Sequence, residues 1–315
     1  MTRTIYKAVS AGSQLFWRLG GPCLRILCYH GICEDRLRRE AWLPDYFVTA
    51  SAFERQLQYL REVAAIVRLS DAAAMLKSGS LPPRAVCLTF DDGYANNLHL
   101  AQPLLEKYQT PATVLLSSAY IESGEMYPFL RLHLIRKLAA PRHQGLLEYK
   151  NNPVDQVLAS AAPVWREVES GLTPDQVMTL RPLTVSEVRS ANPRVLDFGA
   201  HTHTHCILRN ESARRRAEEI RLSIRKVEEW TGRRAAHFSY PNGEPGDFGE
   251  QDQKLLRELG VECALTGIGG LNGPDADPLA LRRLPVGLYH DDGGFRTEMT
   301  GLRSHFLNLR RRLRG

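Results

Sequence analysis

The chain predicts an α/β fold of repeated β-then-α units, barrel-like or doubly wound, in one domain. Three observations predict it. Short apolar runs recur at residues 24–29, 85–90 and 112–116, and they read as strands buried on both faces rather than half-exposed ones. Helical spacing at residues 98–108 separates the last two runs, which makes a βαβ unit. Polar residues capable of chemistry come directly after strand-like runs: His30, Asp91 with Asp92, and His201. Barrel and doubly wound folds place their sites there.

In order, residues 24–29 form the first strand, and His30-Gly31 turns the chain. Ser51 is the expected N-cap of a helix carrying Phe53, Leu57 and Leu60, with Glu54 at the capping-box position. Ser70 and Asp71 open a helix at 72–77 that Gly79 ends, and Leu81-Pro82-Pro83 breaks the chain before the strand at 85–90. Residues 120–181 read as an insertion, with helical stretches near 129–138 and 153–169. Thr184 and Ser186 precede a helix start at Glu187 and Val188. A strand at 195–198 delivers His201. A helix at 211–230 carries Ile220, Ile224 and Val227 on one face and stops at Gly232. A strand at 237–240, a helix at 253–259 capped by Gly260, and strands at 263–265 and 284–286 follow.

The 315 residues carry a formal charge of +6, and no apolar run approaches the ~18 residues of a membrane span. Residues 1–23 read as a weakly amphipathic helical extension through Ile5, Val9, Phe16 and Leu19, and make a poor secretory signal. Residues 291–315 read as a basic tail. Leu302, Phe306, Leu309 and Leu313 recur there at helical spacing beside Arg303, Arg310, Arg311, Arg312 and Arg314. Peripheral contact with an anionic membrane is an expectation from that tail. Nucleic acid is not expected, because no aromatic residues interleave the basic ones. The six cysteines include no C-x-x-C pair, which argues against a zinc ribbon, and a reducing cytoplasm is the expected compartment.

Three of the ten histidines fall in Gly199-Ala200-His201-Thr202-His203-Thr204-His205. On a helical turn His201 and His205 share a face, and on a strand His203 joins them; either geometry offers two ligands to one ion. Asp92 supplies a third. Two histidines and a carboxylate suit a divalent metal with an open position. Zinc fits first, and cobalt, manganese, iron or nickel are alternatives. Asp91 then remains to take a proton from water, whose pKa such an ion lowers to about 7. A second Asp-Asp-Gly, at Asp291-Asp292-Gly293, has no apolar strand directly before it.

Thr89-Phe90-Asp91-Asp92-Gly93-Tyr94, followed by His201-Thr202-x-x-His205, resembles the polysaccharide deacetylases, the NodB-homology group of carbohydrate esterases. The resemblance runs from about residue 26 to 286. It implies a deformed (β/α) barrel and metal-dependent removal of acetyl groups from an N-acetylated glycan. Asp91 would be the general base, and Asp92, His201 and His205 the metal ligands. Phe238-Ser239-Tyr240-Pro241-Asn242-Gly243 resembles the segment that holds the family's base-orienting arginine, but Ser239 occupies that position. Arg282 or Arg283 would have to substitute, with Arg283 carried forward. Tyr240, Pro241 and Asn242 are the expected substrate and oxyanion residues, through the Asn242 N–H. The general acid is either His290, in Leu288-Tyr289-His290, or His30. His30 is preferred because it follows the first strand and resembles the N-terminal histidine of biofilm poly-N-acetylglucosamine deacetylases. The resulting division is an extension at 1–23, a deacetylase domain at 24–290 and the tail at 291–315. The rival reading is a non-catalytic carbohydrate-binding relative, motivated by the missing arginine and the unsettled general acid. An iron-dependent oxygenase shares only the ligand set.

Overall fold

The seven expected strands become seven parallel strands in the computed structural model, which describes residues 23–139 and 145–301. They are β1 (Arg25–Tyr29), β2 (Ala85–Phe90), β3 (Ala112–Leu116), β4 (Leu196–Ala200), β5 (His237–Ser239), β6 (Cys263–Gly269) and β7 (Leu281–Pro285). Each pairs with the next, and β7 pairs back onto β1, closing a barrel. Every residue of β1, β2 and β3 is buried, because side chains face either the barrel interior or the surrounding helices. The barrel is deformed where pairing is sparse. β4 meets β5 through Ala200 and Phe238, and the β6–β7 register shifts between Leu281 and Arg283. The two-residue strand Ala65–Ile66 adds to the start of β2, and Ile32–Cys33 pairs with Val48–Thr49 to fold the loop after β1.

The helices are α1 (Ala50–Val63), α2 (Leu69–Ser78), α3 (Gln102–Lys107), α4 (Ser118–Ser123), α5 (Pro128–Leu138), α6 (Val154–Ser170), α7 (Pro174–Leu180), α8 (Val185–Ser190), α9 (Ala213–Thr231), α10 (Glu250–Glu258) and α11 (Asp292–Glu298). Gly79 and Gly232 end α2 and α9 in left-handed conformations, as their placement predicted. Thr184 and Glu187 complete the capping box of α8. The cap of α1 differs from expectation. Thr49 Oγ1 accepts the Ala52 N–H, while Ser51 bonds to Asp35 instead, so the helix starts two residues earlier than Ser51 implied. A π-helical segment, Asn97–Ala101, precedes α3. Its Asn97 side chain donates to the His30 carbonyl (2.7 Å), and Asn96 accepts the Ile32 N–H (2.8 Å). The turn that carries His30 is thereby tied to the element that follows the Asp pair.

Helices α5 to α7 of the insertion build a second apolar cluster, in which Tyr127, Leu130, Ile135, Val157 and Trp165 meet Trp42, Phe47 and Tyr94. At the other end, Phe295 and Met299 are buried in the main core, and Arg25 Nε donates to the Met299 carbonyl (2.8 Å). Packed structure therefore continues past residue 290, where the tail was expected to begin. The expected extension helix through residue 19 and the basic helix from Leu302 lie outside the described residues. Among the described residues no helix is long and apolar enough to cross a membrane.

Candidate active site

β2 ends at Phe90, and the Asp91 N–H continues the ladder to the Tyr29 carbonyl (2.9 Å). The chain then turns through Asp92 and Gly93 with φ of 73° and 88°. A Cβ on Gly93 would sit 2.5 Å from Leu116 Cδ2, so both the dihedral and the space demand glycine. Across the rim, Thr202 (φ 57°) and His205 (φ 55°) are also left-handed. Three non-glycine residues in this sparsely populated region at one site mark backbone held in place by its surroundings.

The two turns bring Asp92, His201 and His205 together. Asp92 Oδ1 lies 3.1 Å from His205 Nε2 and 3.6 Å from His201 Nε2, and all three side chains are buried. Each histidine is held by its other nitrogen. His201 Nδ1 is 2.7 Å from the Ser239 carbonyl, to which it donates. His205 Nδ1 is 2.6 Å from the Tyr149 hydroxyl, and the same hydroxyl bonds the His205 carbonyl. One hydroxyl proton cannot serve both bonds, so Tyr149 donates to the carbonyl and accepts from Nδ1–H. Both imidazoles then present Nε2 lone pairs to Asp92. Burial lowers the His201 pKa to about 4 despite the nearby Asp91 charge, which keeps the ring neutral as a ligand must be. Asp92 Oδ2 is buried with no hydrogen-bond partner. A buried unpaired carboxylate oxygen is costly. The donor set and the orphaned oxygen fit a divalent ion.

Asp91 faces the same space, with Oδ2 3.9 Å from His201 Nε2. Arg283 from β7 grips it with two parallel bonds, Nη1 to Oδ1 at 2.7 Å and Nη2 to Oδ2 at 2.6 Å. Arg283 Nη2 also donates to Ser239 Oγ (3.0 Å), and its Nε donates to the Thr266 carbonyl (2.8 Å). Burial alone would raise the Asp91 carboxyl, but Arg283 and His201 together hold it well below the usual carboxylate range. It is therefore ionised and able to accept a proton. Ser239 does not carry the guanidinium, and Arg283 brings it from two strands away. Arg282 turns elsewhere, toward the Gly269 carbonyl.

His30 enters from the end of β1. A ring nitrogen of His30, the Cys28 sulfur and an Asp91 oxygen lie within 4.8 Å of one another, and His30 Nδ1 is buried without a partner. Its ring packs on Tyr46 at 4.8 Å. His290 is engaged elsewhere: its Nδ1 receives the Gly287 N–H (3.3 Å), and its Nε2 faces Glu298 of α11 at 3.6 Å. His203 bonds Ser118 through Nδ1 (2.7 Å) and stands apart from the ligand group.

The Tyr240 to Gly243 turn is only partly as expected. Tyr240 is buried, stacked on Phe248, with its hydroxyl donated to the Leu279 carbonyl (3.0 Å). Its side chain is therefore engaged in the core and is turned away from the rim. The turn closes from the Gly243 N–H to the Pro241 carbonyl (2.7 Å), which leaves the Asn242 N–H out of that bond. A Cβ on Gly243 would lie 2.5 Å from the Gly267 nitrogen, so the turn packs directly on β6 backbone.

Sequence reasoning missed Cys28, Tyr127, Phe129 and Tyr149. Tyr127 donates to the Asp92 carbonyl (2.7 Å), and the Phe129 ring stands 4.6 Å from that of His205. Three of the four lie in the insertion, where no motif marked them.

The chain matches the family model described as "Polysaccharide deacetylase" over residues 78–264, more than half its length. It is 28% identical over 114 residues to a poly-β-1,6-N-acetyl-D-glucosamine N-deacetylase of Staphylococcus aureus, a stretch covering 36% of this chain and 39% of the relative. A protein of the same name from Staphylococcus epidermidis is 30% identical over 116 residues, with the same coverage. The chain thus spans about two fifths of the length of these curated relatives. Among solved structures it resembles the Streptococcus pyogenes deacetylase PplD (TM-score 0.63, 18% identity, 88% of this chain and 98% of that one). It also resembles IcaB of Ammonifex degensii (TM-score 0.59, 19% identity, 89% and 97%). These likenesses agree on the barrel, and the extent of the family match is decisive: the chain belongs to the polysaccharide deacetylase family.

Proposed function

We propose that this protein is a metal-dependent hydrolase that removes N-acetyl groups from an amino-sugar polysaccharide or its precursor. The observation that carries the reading is the convergence of Asp92, His201 and His205 beside an Asp91 held by Arg283. Asp92 and the two Nε2 atoms would hold a divalent ion, zinc being the first choice. Bound there, the ion supplies Lewis acidity that eases ionisation of water and polarises an acetamide carbonyl.

The chain's own residues do the rest. Asp91 accepts the proton of water as its oxygen bonds to the acetamide carbon, and Arg283 keeps the carboxylate ionised and fixed in orientation. The Asn242 N–H donates to the oxyanion that forms. His30 gives a proton to the sugar nitrogen as the carbon–nitrogen bond breaks, so acetate and a free amine leave. The rival reading, a binding protein without catalysis, rested on the missing arginine at Ser239 and on the choice of acid between His30 and His290; the Arg283–Asp91 pair answers the first of these.

The test is acetate release from N-acetylated glycans by metal-analysed protein, with and without chelator. Poly-β-1,6-N-acetylglucosamine is the first substrate to try, because the curated relatives carry that name. Release that chelator abolishes and zinc restores is the expected result. Glycan binding with no acetate release from any member of the panel would overturn it.

A further inference from the structure

Tyr149 lies in the insertion, between α5 and α6, and is 56 residues from His205 in sequence. It makes no bond to Asp91 or Asp92. Its hydroxyl instead bonds His205 twice, at Nδ1 and at the carbonyl. On the other side of the same turn, Glu219 of α9 accepts the Thr204 N–H (2.7 Å) and hydroxyl (2.9 Å), and is 2% exposed. Glu219 is itself paired with Arg215 at 2.9 Å. The turn at Thr204-His205 is thus held from both sides, with His205 in a left-handed conformation that an unheld chain would leave.

We propose that Tyr149 is a positioning residue for the metal ligand His205, so that the insertion builds one side of the metal centre. The inference rests on the reading of Asp92, His201 and His205 as that centre. Two things follow from the two hydrogen bonds of one hydroxyl. Accepting from Nδ1–H selects the tautomer with its lone pair on Nε2, toward Asp92. Donating to the His205 carbonyl fixes the backbone that carries the ring. Phe129, on the same insertion, packs against the imidazole and limits its rotation. Without the hydroxyl, Nδ1–H loses its acceptor in a buried place, and a flipped ring becomes competitive.

The test compares Tyr149→Phe with Tyr29→Phe. The second variant also removes a buried hydroxyl, one that bonds Gln56 (3.0 Å), away from His205. Zinc affinity is measured on the full chain by chelator competition, and the visible spectrum is recorded with cobalt(II) in place of zinc. Tyr149→Phe should bind zinc about 10–100-fold more weakly, the usual cost of losing an outer partner of a ligand. Its cobalt spectrum should shift, and kcat should largely recover at saturating zinc. Tyr29→Phe should change neither affinity nor spectrum. Unchanged zinc affinity in Tyr149→Phe, with affinity lost in His205→Ala, overturns the proposal. Parent-like zinc binding by His205→Ala overturns the underlying metal-site reading instead.

Discussion

Arg283 and Asp91 are 192 residues apart in sequence and form a buried two-bond ion pair of 2.7 and 2.6 Å across the barrel closure. The pair fixes the proposed base and balances one of two adjacent buried carboxylates. Removing the guanidinium leaves Asp91 buried and unpaired. Arg283→Ala should therefore lose about 3–5 kcal/mol of stability, read by denaturant unfolding. Arg283→Lys keeps the charge but not the fork. Losing one charge-assisted bond, about 1.5–3 kcal/mol, should lower kcat/KM about ten- to a hundredfold. Parent-like acetate release by Arg283→Lys would show that the two-bond geometry is not needed.

Asp92 should behave oppositely toward stability. Its Oδ2 is buried without a partner, and its backbone is left-handed. Asn tolerates that conformation and carries no charge. Asp92→Asn should therefore leave the metal-free protein at least as stable as the parent while abolishing zinc retention and deacetylation. Chelation of the parent should lower its unfolding temperature, and chelation of Asp92→Asn should not. Zinc retention by Asp92→Asn at parent affinity would remove Asp92 from the ligand set.

The two candidate acids separate by what each variant loses. His30→Gln should lower kcat about 10²–10⁴-fold with zinc content unchanged. His290→Ala should leave kcat per folded molecule intact and instead cost about 1–3 kcal/mol, because Glu298 is buried facing it. The reverse pattern would reassign the acid to His290.

Away from the site, Glu187 gives a pH signature of the α8 start. Partial burial would raise its carboxyl, but Arg181, the Thr184 N–H and His99 pull it down to about 2. A depressed carboxyl contributes stability that is complete above the unfolded value, about 4.3, and is lost as pH falls toward the folded one. Glu187→Ala should cost about 1–2 kcal/mol at pH 7. The gap to the parent should shrink as pH falls from about 4.3 to about 2, followed by urea unfolding. A gap constant with pH would mean the charge is not what matters.

The strands were legible because a parallel barrel buries both faces, so 85–90 and 112–116 are apolar except for Thr89 and Thr113. The Asp pair and the two histidines were legible because few residue types bind metal and they fell at strand ends. The start of α8 was legible to within two residues, because the N-cap residue Thr184 lies next to the helix it caps. The cap of α1 was misread because Ser51 found a partner outside its own helix, in Asp35. The inward direction of the Tyr240 side chain was not legible, because a motif position says nothing about which way a side chain packs.

What the sequence determined by itself was the set of short-range choices: strand, turn, helix end, and which side chains can ligate or take a proton. Only the tertiary structure decided who meets whom. Arg283 reaches Asp91 because the sheet closes and the β6–β7 register shifts beside it, and Tyr149 reaches His205 because the insertion folds onto the rim. Neither contact has a local period. Each depends on the position of distant backbone, and that is settled when the whole core packs.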